Sequence, residues 1–191
     1  MKQLRSTDLK RLHRTWRTRT PGRLAIGLDA VQGPHNVGGV LRTAAAYRAT
    51  HVWFTDAGTG PDHPQVGRTA LGSERYLDVR QSLDGPALVT AARAAGYRVL
   101  ALELCDAAMP IFDADLLGDI CLVVGNEDHG VAPATLAACD GAVYLPQFGK
   151  IGSLNVATAT AIGMYEWARQ QIGETAIVNA AGPPGQPGGD G

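Results

Sequence analysis

The chain has 191 residues, of which 45% are apolar and 18% charged, with a formal net charge of −1. That length and composition fit one globular domain with a full hydrophobic core. The apolar runs fall far short of the roughly 18 residues of a membrane span, and no apolar segment follows the basic N-terminus as a signal peptide requires, so a cytoplasmic location is expected.

Residues 1–22 form a basic arm. Up to position 23 the chain carries Lys2, Arg5, Lys10, Arg11, Arg14, Arg17, Arg19 and Arg23 against Asp8, leaving nine basic and seventeen acidic residues for the remainder. A basic arm on an acidic body suggests a polyanionic partner, for which nucleic acid is the usual candidate; the plainer alternative is a solvated helix that balances the body's charge. Leu9, Leu12 and Trp16 recur at helical spacing, so a short amphipathic helix is expected within residues 4–17, ended by "TPGR". Three cysteines, Cys105, Cys121 and Cys139, are too few and too widely spaced for a disulfide framework or a zinc site and read as small buried thiols.

Beyond the arm, apolar strands alternate with helical segments. Strands are expected at 24–31, 51–56, 97–104, 119–127 and 141–146, and helices at 37–49, 64–71, 83–95 and 132–139, with Pro133 in a first turn. A last helix begins near Leu154. The final twelve residues hold five glycines and three prolines, so residues 179–191 are expected to be a disordered tail. The fold class is α/β, a mostly parallel sheet covered by helices on both faces.

In such folds ligands bind beyond the carboxyl ends of the strands. Three polar loops fall there: "QGPHN", "GNEDHG" and "PQFGKIGS". Taken singly, their residues have ordinary explanations. Asn36 suits an N-cap. Arg42 falls away from the apolar stripe Val37, Val40, Leu41 and Ala44 and reads as a solvated arginine. Gly125 permits close backbone approach, Gly130 suits a positive φ, and Glu127 and Asp128 sit in a common turn type. Ser153 suits an N-cap, though Val156 cannot complete a capping box, and a helix mouth offers N–H groups to an anion or carboxylate. Neither a Walker loop nor a G-x-G-x-x-G loop is present.

Together and in this order, "NVGGVLRTA", "LVVGNEDHGV" and "LPQFGKIGSLNVATATAIGMYEW" resemble the three signature motifs of the SpoU/TrmH family of RNA ribose 2′-O-methyltransferases, within the SPOUT superfamily. The resemblance covers roughly residues 24–170. It implies a C-terminal trefoil knot, which composition and periodicity could not suggest because knots are almost absent from proteins, and a homodimer. It implies S-adenosyl-L-methionine as methyl donor, bound by Leu104, Val124, Gly125, Asn126, Leu145, Gln147, Ser153 and Leu154. Gln147 departs from the family, where Met is frequent. The family's polar set falls on Asn36, Arg42, Glu127, Ser153 and Asn155: Asn36 and Glu127 organise the loops and orient Arg42, while Ser153 and Asn155 hold the knot and the helix entrance. The resemblance makes Arg42 the base for the ribose hydroxyl. A guanidinium keeps its proton to above about pH 12, so a charged Arg42 that clamps phosphate and stabilises the developing alkoxide is the alternative. No metal is expected, because the sulfonium leaving group carries the driving force.

RNA contacts are expected from Arg11, Arg14, Arg17, His35 and Arg42. The absence of room for a further RNA-binding domain, and the basic terminal helix, favour tRNA ahead of rRNA as substrate. Two rival readings stand beside this one: an RNA-binding or assembly factor that keeps the fold without turnover, and a generic nucleotide-binding α/β enzyme.

Overall fold

The computed structural model describes residue 3 and residues 5–180. Seven strands form one parallel sheet: β1 (Leu24–Leu28), β2 (His51–Thr55), β3 (Asp78–Ser82), β4 (Arg98–Leu102), β5 (Met109–Pro110), β6 (Ile120–Val124) and β7 (Gly141–Tyr144). Their order across the sheet is β3-β2-β1-β6-β4-β7-β5. The helices are α1 (Ser6–Arg17), α2 (Pro34–Ala46), α3 (Pro64–Ala70), α4 (Gly85–Ala94), α5 (Pro133–Ala138) and α6 (Val156–Ala180), with a 3₁₀ turn over Ser73–Tyr76.

The period-two pattern of the strands divides the core. Leu24, Ile26, Leu28, Ile120, Leu122 and Val124 face one side, where they meet Val37, Val40 and Leu41 of α2 and Met164 and Trp167 of α6. Ala25, Cys121 and Val123 face the other side, against Leu88, Val89 and Ala92 of α4. The central strands are buried on both faces, which is why they read as continuous apolar runs. Gly27 admits α4 closely, since a Cβ there would stand 2.7 Å from a Leu88 methyl.

Several expected boundaries move. The first strand stops at Leu28; Ala30 then takes a left-handed conformation with φ 57°. α2 begins at Pro34 and caps on Gly33, so Asn36 lies inside the first turn and is not the N-cap. Ser153 is not a cap either: α6 begins at Val156, and the Asn155 side-chain oxygen accepts from the backbone N–H of Ala157 and Thr158 at 3.0 and 3.2 Å. β3, "DVRQS", was not expected as a strand. It is an exposed sheet edge with no apolar face to give it alternation, and backbone pairing to β2 alone defines it. β5 is two residues long and equally silent in the sequence.

The arm does contain a helix, α1, with Leu9, Leu12 and Trp16 each about two-fifths exposed; Lys2 and Leu4 lie outside the described residues. α6 runs to Ala180, so positions 179 and 180 of the expected tail are helical and residues 181–191 lie outside the described residues. Cys121 is buried, whereas Cys105 and Cys139 are partly exposed, and all three are free. Burial pushes the Cys139 thiol up to about 11. No helix among the described residues is long and apolar enough to cross a membrane.

Candidate functional site

Four neighbouring strands, β1, β6, β4 and β7, deliver their carboxyl-terminal loops to one place. The loops after β4, β6 and β7 surround a cavity of about 560 Å³ lined by Leu104, Val124, Gly125, Asn126, Leu145, Gln147, Ser153 and Leu154, together with Glu103, Glu127 and Asn155 among others. The eight residues expected to bind a cofactor therefore share one wall system, although they come from three segments separated by about twenty residues each.

The loop after β6 is held by its own backbone. Asn126 and Gly130 exchange two backbone hydrogen bonds, at 3.0 and 2.9 Å, across a bridge. The Asn126 side-chain oxygen accepts from the N–H of Asp128 and His129, while its amide donates to the Ala30 carbonyl at 3.0 Å. Gly130 has φ 69°, and a Cβ on Gly125 would lie 2.0 Å from the Gly130 carbonyl carbon. Both glycines are therefore required by geometry. Glu103, for which the sequence suggested no individual role, accepts the N–H of Val131 at 3.0 Å and of Leu104 at 2.9 Å. Its carboxylate thereby links the β4 and β6 loops at the cavity wall. An acid immediately after a buried strand was the signal that could have found it.

Glu127 turns away from its own loop to fasten the loop after β1. Its carboxylate accepts from the backbone N–H of Gln32 and Gly33 at 2.9 and 2.8 Å and from the Asn36 side-chain amide at 2.8 Å. Partial burial pushes this carboxyl up, but these donors outweigh it and hold the group below the usual carboxylate range. Asn36 in turn accepts from the Asn155 amide at 2.8 Å, and Asn155 caps α6. A continuous polar relay, Glu127–Asn36–Asn155, thus spans the three motifs and fixes the mouth of α6 relative to α2.

The other site residues are placed differently. Ser153 is exposed and makes no hydrogen bond among the described residues. Arg42 likewise has no hydrogen bond or ion pair among the described residues, so the expected orienting contacts from Asn36 and Glu127 are not made by hydrogen bonding. It shares the exposed face of α2 with His35, seven residues earlier, whose Nδ1 lies 3.1 Å from the Thr69 hydroxyl of α3. Neither lines the cavity. Arg11, Arg14 and Arg17 stand on α1, which reaches the body near the far end of α2 rather than at the cavity. Among the described residues, no group of three or more His, Cys, Asp or Glu side chains is arranged to hold a metal.

Comparison with known proteins bears on this arrangement. The SpoU rRNA Methylase family matches residues 23–165. The 23S rRNA (guanosine-2'-O-)-methyltransferase RlmB of Acinetobacter baylyi is 32% identical over 78% of the chain and 61% of its own length. The tRNA (guanosine(18)-2'-O)-methyltransferase of Escherichia coli is 29% identical over 78% of the chain and 64% of its own length. The crystal structure of an AdoMet-bound rRNA methyltransferase from Sinorhizobium meliloti superposes with a TM-score of 0.72 at 28% identity, covering 81% of this chain and 60% of that one. The chain spans about three fifths of the length of the first curated relatives it matches.

Proposed function

Because the chain belongs to the SpoU rRNA methylase family, we propose that it transfers a methyl group from S-adenosylmethionine to a ribose 2′-oxygen in structured RNA, tRNA first and rRNA second. The observation that carries this reading is one cavity lined by all eight residues expected around the cofactor, with Glu127 and Asn155 of its lining joined through Asn36. The cavity suits the group chemically. Leu102, Leu104, Leu145 and Leu154 offer apolar sides to an adenine ring, while the loops present backbone polar groups at its edge. Glu103, Glu127 and Asp128, all residues of the lining, give it a negative charge that complements a sulfonium and an ammonium group.

When bound, the donor supplies an electrophilic methyl group and departs as a neutral thioether. The chain's own residues position the nucleophile. Charged Arg42, on the outer face of α2, clamps an RNA phosphate and stabilises negative charge developing on the 2′-oxygen. The reaction balances as ribose hydroxyl plus sulfonium giving methyl ether, thioether and one proton. The relay holds α2 and the start of α6 in fixed relation, so that Arg42 and the cavity keep their spacing. In this reading residues 23–173 form the catalytic unit, its knot gathering the cavity loops, and residues 1–22 are an RNA-contacting arm.

A homodimer completes the proposal. Ile162 and Tyr165 on α6, and Phe148 and Ile151 on the loop before it, are large apolar side chains 41%, 58%, 98% and 77% exposed, a surface suited to a second copy. Met164 and Trp167 of the same helix pack inside the subunit instead.

The test is transfer of labelled methyl from S-adenosylmethionine to RNA from cells lacking the gene, with the modified site then mapped. Label is expected as a ribose 2′-O-methyl mark. RNA binding without label would replace the enzyme by the binding-factor reading. Sedimentation equilibrium is expected to give twice the chain mass, and a monomer at micromolar concentration would reject the dimer.

A further inference from the structure

A second cavity, of about 450 Å³, lies between α1 and the body, at the opposite end of α2 from the site described above. Its walls include His13, Trp16 and Arg17 of α1, Tyr47 and Arg48 at the end of α2, and Trp167 of α6. The first three recur at helical spacing and so turn one face of α1 towards the body. α1 roofs the cavity, and the threonines of the turn that follows it hydrogen-bond back to its last carbonyls.

The lining chemistry selects its occupant. Trp16 is 41% exposed, with the Arg19 guanidinium 5.1 Å from its ring centroid. Arg17, Arg48 and His13 share the lining with Trp16, Tyr47 and Trp167, and among the described residues the lining contains no carboxylate, although the chain beyond the arm is net acidic. Aromatic faces interleaved with guanidinium groups bind unstacked bases and their phosphates without requiring a particular sequence. A volume of this size is in the range of small-molecule sites.

Arg48 reaches the groove from the turn that ends α2. It follows the end of α2 with φ 59°, a left-handed position that glycine or asparagine ordinarily fills. The side chain leaves this turn as part of the groove wall.

We infer that this groove is a second RNA subsite, which stacks an unpaired nucleotide of the substrate on Trp16 and Tyr47 and neutralises its phosphates with Arg17 and Arg48. The inference rests on the RNA reading above. α2 is 13 residues long, about 20 Å at 1.5 Å per residue. One RNA occupying both sites therefore lies along that helix, with the target ribose near its start and the stacked base near its end.

The test is fluorescence anisotropy of the full chain with a labelled tRNA transcript, over a range of salt concentrations. Trp16→Ala is expected to weaken binding about ten-fold, and Trp16→Phe to retain most of it. Arg48→Gly is expected to weaken binding, to reduce the slope of log affinity against log salt by about 0.7–0.9, and to leave the melting temperature unchanged or higher, because glycine suits that backbone. Native affinity and slope in both Trp16→Ala and Arg48→Gly would overturn the subsite. So would a change confined to self-association in sedimentation, which would make the groove a contact between copies. A native chain that neither binds RNA nor transfers methyl fails the RNA reading itself, an outcome visible before any variant is made.

Discussion

Replacing Arg42 by alanine is expected to slow methyl transfer about 10²- to 10³-fold while leaving S-adenosylmethionine affinity within about two-fold. The two effects separate because of where the residue sits. Arg42 lies outside the cavity wall, and it has no hydrogen bond or ion pair among the described residues whose loss would disturb the fold. Its removal therefore costs what it does to RNA in the transition state and little else. Lysine at the same position keeps the charge but not the planar fork that grips a phosphate through two parallel N–H groups, so Arg42→Lys is expected to recover only part of the rate. Single-turnover rates and cofactor titration on the same preparations check both statements. A lysine variant with a near-native rate and a lowered apparent pKa would reject the clamp in favour of a base.

The second large effect is expected at Gly125. A Cβ there would stand 2.0, 2.1 and 2.2 Å from the Gly130 carbonyl carbon, the Val131 nitrogen and the Gly130 oxygen. All three are backbone atoms, so no side chain can rotate aside. Gly125→Ala must push the 125–131 loop open, breaking the Asn126–Gly130 bridge and the contact of Val131 with Glu103. Overpacking of this kind costs about 1–3 kcal/mol, or roughly 2–12 °C in melting temperature for a domain of this size. Cofactor affinity is expected to fall more than about ten-fold, because the loop forms one wall of the cavity. Gly149→Ala is the control: a Cβ there meets nothing within 4 Å, and both melting temperature and affinity are expected to stay native. A Gly125→Ala protein that binds S-adenosylmethionine as tightly as the native chain would sever the cavity from the proposed function.

The two glycines of the β6 loop were legible because a positive φ and a close backbone approach leave marks in residue type. The asparagines were only half legible. Asn36 reads locally as a helix cap, and its actual partners are Glu127 and Asn155, 91 and 119 positions away. The cap of α6 falls to Asn155, two residues beyond Ser153. In both cases a side chain able to cap locally was engaged, or relieved, by a group that only the folded chain brings near. The groove beneath α1 had no local signature either. Trp16 read simply as one member of an apolar stripe, while Tyr47 and Trp167 belong to helices placed against it by the tertiary packing.

Residue type and short-range order alone determined the alternation of apolar strands with helices, and hence the parallel sheet and the end of it where the three polar loops fall, because buried strands and amphipathic helices impose their periods on any local window. They also determined the three motifs that place the chain in its family. Tertiary structure decided which of those polar residues touch, which end of α2 faces a cavity and which a second groove, and that "DVRQS" is a strand at all. Hydrogen-bond partners and sheet edges are set by distances between remote segments, and such distances leave no trace in a local sequence window.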